Sequence, residues 1–440
     1  MRTNSFSTPP QLAANQRTQP AFRRLAWTLV ALVLATLMTT VSRASIAATD
    51  PDWHGTTPEN ISNSSYGMVR EPDIAIGPAG QTVAVWSDGP SRYELDIYVT
   101  DNSGGAWAIP QLISDTTSSS WYPDLLVAGG NIFVAWADTS VIHEAKRTGE
   151  IWQVRQIPSP VPLIAASTQA RLAASTDRLH VVFNASETGG SDIYHASRLL
   201  AETTWPTATC VYTSTAQGSW SPVLAIDPDG QKLCLVWQEQ ISVDQNVIMY
   251  ASGTVAGDSV NWSSAITLST GITQSLNPDV AVDSGGNVHI VWGEPGADGR
   301  YGDQYVRYTR YDANLGFGSV LARIDSLPVQ MNQLSPTYIA PSLALWEQDN
   351  QVTVCVVWHG FRSGGILEEK VLLSCSPDGG LFWASPQNVS RSSGDEAIST
   401  YPSITFDTLG MLHSVWKEQD EIYHSRAQHL VYLPLVMRNG

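Results

Sequence analysis

From residue 53 onward the chain is patterned in short runs of alternating apolar and polar positions, broken by clusters of Asp, Gly, Asn and Ser. One run recurs. Its clearest copy is Asn277-Pro278-Asp279-Val280-Ala281-Val282-Asp283, a Ser-Gly-Gly turn, and Asn287-Val288-His289-Ile290-Val291-Trp292. This is a strand, a tight turn and a second strand closed by an aromatic. The equivalent prolines are Pro72, Pro123, Pro222, Pro278, Pro341 and Pro402, and the closing aromatics are Trp86, Trp136, Trp237, Trp292, Trp358 and Trp416. A weaker seventh copy spans 170–183, with Phe183 in the Trp position. Copies recur roughly every fifty to sixty residues, the length of a four-stranded meander. Most copies continue into a third strand, such as Asp192-Ile193-Tyr194-His195 and Glu421-Ile422-Tyr423-His424, and a fourth follows a Trp, as in 262–268.

These units predict an all-β fold, a seven-bladed β-propeller of four-stranded antiparallel blades. An open β-solenoid and a pair of sandwiches are the alternatives. The last copy ends near Ser425 without a fourth strand. The segment Trp53 to Ser62 is similar to Trp383 to Ser390, the fourth strand of copy six. The N-terminal strand is therefore expected to complete the last blade and close the ring. The predicted organisation is 1–48, 49–428 for the propeller, and a tail of 429–440.

Composition adds direction. Residues 1–48 contain five arginines and no acid, with an apolar run from Leu25 to Met38 after Arg23-Arg24 and small residues up to Ala48. This is the order of a secretory signal peptide, or else of an uncleaved N-terminal anchor, so a secreted or cell-surface protein is expected. The whole chain has a formal charge of −17. Removal of residues 1–48 leaves 19 basic against 41 acidic residues, or −22. Such a balance argues against a nucleic-acid partner. Membrane contact is expected through the N-terminal segment alone, if it is retained, and the chain is expected to be a monomer. The tail, His429 to Gly440, suits an extra edge strand or a surface-attachment signal.

Four cysteines lack CxxC spacing, which speaks against zinc. Cys355 and Cys375 fall on consecutive strands of one copy and are the expected disulfide, while Cys234 belongs to another copy. His180, His289 and His413 occupy one repeat position in three separate copies, so they are expected to be structural, and no metal or cofactor is expected. The Trp series is expected to pack between blades. The segments 227–230 and 298–303 are calcium-like in composition but read as turns, without EF-hand spacing.

Ser376-Pro377-Asp378-Gly379-Gly380-Leu381-Phe382-Trp383 matches S-x-D-x-G-x-x-W residue for residue, and Thr100 to Trp107, with Asn102, Gly104 and Trp107, matches it with substitutions. On these motifs residues 53–426 resemble the BNR/Asp-box repeat families, which include sialidases. The box is a turn in which Asp accepts backbone N–H groups, Gly supplies positive φ and Trp packs beneath, so it marks a fold. For an exo-glycosidase of sialidase type the resemblance implies three arginines on a substrate carboxylate, an Asp acid/base and a Tyr paired with a Glu. Arg70 before Glu71-Pro72, Arg92 with Asp96, and Tyr401 stand at the corresponding places, with Arg307 and Arg362 as unmarked further arginines. Sialidase propellers have six blades, against seven copies here.

The repeat suggests a second constellation. Two residues past the closing Trp, five copies carry an acid: Asp88, Asp138, Glu239, Glu294 and Glu418. The segments entering the first strands share that face and include Trp121-Tyr122, Trp220 and Tyr401. Aromatic platforms with carboxylates suit sugar rings and hydroxyls; equally, such acids cap strand ends. The leading expectation is a module binding glycan or another extracellular ligand. The alternatives are the sialidase-type enzyme and a structural protein-interaction propeller.

Overall fold

The computed structural model describes residues 56–428, except the internal stretches 115–117, 165–166, 187–189, 244, 270–273, 296–302, 313–315, 325–328, 331–338, 362–368 and 391–397. Residues 1–48, Trp53, Arg362 and the tail lie outside the described residues. Every regular element described is a β-strand, and the strands form seven antiparallel sheets in chain order. The fold is the seven-bladed β-propeller. The innermost strands are Arg70–Ile76, Trp121–Ala128, Ala170–Ala174, Gly218–Ile226, Leu276–Val282, Ser342–Gln348 and Ser399–Phe406. Blades four and five each carry an additional two-residue strand on the third strand.

Blade seven is completed from the other end of the chain. Glu59 and Asn60 pair with His424 and Tyr423, and Ile61 N–H donates to Ile422 O at 2.8 Å. Thr56 Oγ1 adds a bond to Arg426 O at 2.8 Å. Closure leaves no open interface between first and last blade.

The core lies between blades. The second strands are apolar runs buried along their length, and each closing aromatic packs on the preceding blade. Trp136 joins Val83, Val85 and Ile97 of blade one; Trp358 joins Val291 and Tyr308 of blade five; Trp86 joins Val415 and Ile422 of blade seven. Phe183 fills that place between blades two and three. The six Trp side chains are all fully buried.

The turns hold as their residues require. In the Asp-box, Asp378 Oδ1 accepts Leu381 and Phe382 N–H at 3.1 and 3.0 Å, Ser376 Oγ accepts Gly380 N–H, and Trp383 Nε1 donates to Gly380 O. Gly380 has φ +93°, and a Cβ there would lie 2.0 Å from Tyr308 Oη, so no other residue fits. In the variant box Thr82 N–H donates to Asn102 Oδ1 at 2.7 Å, Gly104 has open space around it, and Trp107 packs on His424. Asp227 is a turn residue whose Oδ1 accepts Gln231 and Lys232 N–H. Cys355 and Cys375 are cross-strand partners joined by a disulfide, while Cys210 and Cys234 are free.

Candidate functional site

The innermost strand of a blade is a sheet edge, where a proline sacrifices no ladder bond. In five blades the register shifts at that proline, and the residue before it takes a left-handed backbone: Glu71 (φ 52°), Tyr122 (54°), Ser221 (50°), Asn277 (50°) and Tyr401 (51°). Non-glycine residues seldom sit there, and a bulge re-aims the side chain it carries. All five line a cavity of about 400 Å³ on the propeller axis, with Gln169 and Ala340 at the same position in blades three and six. The residue that precedes proline is thus the one the repeat presents to the axis, and it differs from blade to blade.

The residue after proline lines the cavity as well. In blades one, two and five it is Asp, and each of these aspartates fastens its blade to another. Asp73 Oδ2 accepts Leu125 N–H at 2.8 Å, Asp124 Oδ2 accepts Leu172 N–H at 2.6 Å, and Asp279 Oδ2 accepts Leu343 N–H at 2.8 Å. Ser403 Oγ of blade seven donates to Asp73 at 2.7 Å. Blade three has Arg171 there, paired with Asp124 at 3.2 Å.

Burial governs the electrostatics. It pushes the Glu71 carboxyl up to about 7, against the opposing pull of Tyr122 N–H, Arg70, Arg171 and Lys417. Burial raises Asp279 to about 6, with Asp73 adding repulsion, and raises Asp124 in the same way against Arg171. Arg171 is held above its ordinary value because Asp124, Asp73 and Asp279 outweigh its own burial. The Glu71 charge and burial both raise the Tyr122 phenol, and burial followed by Glu71 raises Tyr401. Behind Tyr401 lies His359, fully buried, its ring centroid 6.0 Å from that of Tyr401 and neither nitrogen bonded among the described residues. Burial lowers His359 to about 4.

Of the residues expected from sequence, Tyr122 and Tyr401 line the axis. Arg70 adjoins it through Glu71, with Nη2 3.7 Å from the Met68 sulfur. Asp96 is on the third strand of blade one, outside the cavity lining, and accepts Ser114 Oγ at 2.8 Å. Arg92 is exposed against Tyr93, and Arg307 Nε donates to Glu294. Arg171 is the arginine in the lining among the described residues.

The acids after the closing Trp hold local structure. Asp88 accepts Ser64 Oγ, Asp138 accepts Ser140 and Val141 N–H and His143, and Glu239 accepts Ser214 and Ser219. Glu418 accepts Ser399 Oγ and the Trp416 indole. Trp121 is buried, its indole directed to Arg92 O, and Trp220 is half-buried. Sequence reasoning missed Glu71, the three clamping aspartates and Arg171 as axial residues. The signal was the residue on either side of each repeat proline.

Fold and cavity together define the class: a seven-bladed propeller with a polar axial cavity. No protein-family model and no curated protein matches the chain. Among solved structures, a Dyadobacter fermentans protein of unknown function is similar at 12% identity and TM-score 0.50, over 72% of this chain and 96% of that one. The NanB sialidase of Streptococcus pneumoniae gives 10% identity and TM-score 0.49, over 84% and 70%. The Fusarium graminearum α-L-arabinofuranosidase Arb93A gives 13% and 0.48, over 70% and 92%. At such identities a likeness is one of fold.

Proposed function

We propose that this protein is an exported, secreted or surface-held propeller that binds a carbohydrate or similar polar extracellular ligand in its axial cavity, acting as a monomeric recognition module. The observation that carries this reading is the convergence of the pre-proline side chains, which differ from copy to copy, on one cavity of a size suited to a small ligand. Tyr122 and Tyr401 offer ring faces; Glu71, Gln169, Ser221 and Asn277 offer hydrogen-bond partners for hydroxyls. The sialidase-type alternative is less well supported. It needs three arginines and an acid/base about one pocket, and among the described residues the lining holds Arg171 alone while Asp96 lies elsewhere. A glycan array with purified protein tests the reading. Binding of a glycan set that Glu71→Gln or Tyr401→Ala weakens supports it; absence of glycan binding, or binding indifferent to both changes, refutes it. Turnover of a fluorogenic sialoside, abolished by Arg70→Ala, would favour the enzyme.

A further inference from the structure

The lining combines two features with one chemical consequence. Four carboxyl groups, of Glu71, Asp73, Asp124 and Asp279, share the lining with one guanidinium, that of Arg171, so acids outnumber bases there and an arriving cation favours the ionised form of those that burial has raised. Arg171 is already engaged by Asp124 at 3.2 Å through Nη1, so part of its charge is met within the lining. Arg70 and Lys417 act on Glu71 from outside the lining. Independently, Tyr122 and Tyr401 stand in the blades on either side of blade one, so that two phenol rings flank Glu71. Aromatic faces beside a carboxylate attract an ammonium group through the ring quadrupole and the charge together. A ligand carboxylate entering the same space would be desolvated against like charge.

We propose that the axial cavity selects a ligand bearing a protonated amine, an amino sugar in place of a neutral or acidic one, with the ammonium between Tyr122, Tyr401 and Glu71. This rests on the carbohydrate-binding reading of the same cavity and narrows it. The entering cation relieves the mutual repulsion of carboxyls that Arg171 leaves uncompensated. Glu71 Oε2 also accepts a backbone N–H, that of Tyr122 at 3.0 Å, but it stands at the variable pre-proline position between the two tyrosines, so Glu71 is the acid that answers to the ligand.

Three glycosides of one ring shape test this by titration calorimetry on the full chain at neutral pH: methyl β-D-glucosaminide, methyl β-D-glucoside and methyl β-D-glucuronide. The expected order of affinity is amine, neutral, acid, with at least about tenfold between the ends. In Glu71→Gln, which retains a hydrogen-bonding side chain, that span is expected to shrink several-fold. A glucuronide that binds as well as the glucosaminide overturns the inference while leaving sugar binding intact. Should none of the three bind and the glycan array show no binding either, the carbohydrate reading fails. The charge selectivity is then decided by n-butylammonium against n-butanol, followed by broadening of the probe's NMR lines. Saturable binding of the ammonium that is lost in Glu71→Gln sustains it, and equal behaviour of the two probes sinks it.

Discussion

The second and first strands of each blade carry different burdens. Second strands repeat closely: an apolar run leads to a Trp, or to Phe183 in blade three, that is fully buried against the previous blade. First strands repeat their proline in six blades, with Ala170 in its place in blade three, and vary the residue before it, which is Glu, Tyr, Gln, Ser, Asn, Ala or Tyr around the ring. A position buried between two blades is constrained by packing whichever blade it is in. A position bulged toward the axis touches no neighbour in the same way, so each copy is free to offer different chemistry. Agreement among copies therefore marks what holds the ring, and disagreement marks what the ring presents.

Four changes break or sharpen this contrast. Trp358→Ala, at a buried interblade position, is expected to lower stability by about 3–5 kcal/mol in urea denaturation; a loss below about 1 kcal/mol would mean the indoles are not the main interblade contact. Next comes acidity. His180 bonds His195 and His413 bonds His424, each pair at 3.1 Å, and each outer imidazole meets a Trp of the following blade, Trp262 or Trp107. Burial, with the partner imidazole and Arg178 or Arg426, lowers His195 and His424 to about 3, whereas Asp177 and Asp407 oppose on the inner rings. The folded pKa lies below the unfolded value near 6.5, so this contribution is whole above 6.5 and drains as pH falls toward 3. His424→Leu should flatten the urea midpoint between pH 6.5 and 4, and an unchanged slope would rule the pair out as its source. Glu71 has the opposite sign: its carboxyl is raised, so its contribution is present below 4.5 and lost as pH rises through about 7.

Asp279→Ala should cost about 1–3 kcal/mol by leaving Leu343 N–H unpaired, with Asp279→Asn milder because the amide oxygen still accepts. Equal losses in the two variants would show that charge, not the clamp, matters. The smallest effect is expected at the axis. Tyr401→Gly, at φ 51°, relieves a left-handed backbone worth of order 1 kcal/mol and removes only a half-buried side chain.

Much of the architecture was legible in the sequence because its repeats are spaced by packing. Seven copies, the closing N-terminal strand and the Cys355–Cys375 pairing all follow from aligning one motif with itself. The axial site was less legible. A left-handed residue before proline has no compositional mark when it is Glu or Tyr, and Pro-Asp reads as ordinary strand until Asp73 is seen accepting Leu125 N–H. The acids two residues past the Trp recur in five copies, and among their partners are nearby hydroxyls and backbone N–H groups. The histidine pairs did leave a trace. Asp192-Ile-Tyr-His195 and Glu421-Ile-Tyr-His424 are near-identical third strands, in the two blades whose second strands carry His180 and His413 beside them.

The division between what holds the ring and what it presents is tested most directly in one variant, Tyr401→Gly, assayed for glycan binding and urea midpoint on the same preparation. The account predicts lost or strongly weakened binding with a midpoint equal to or above that of the parent. A midpoint that falls while binding persists would place Tyr401 among the residues that hold the ring and contradict the account.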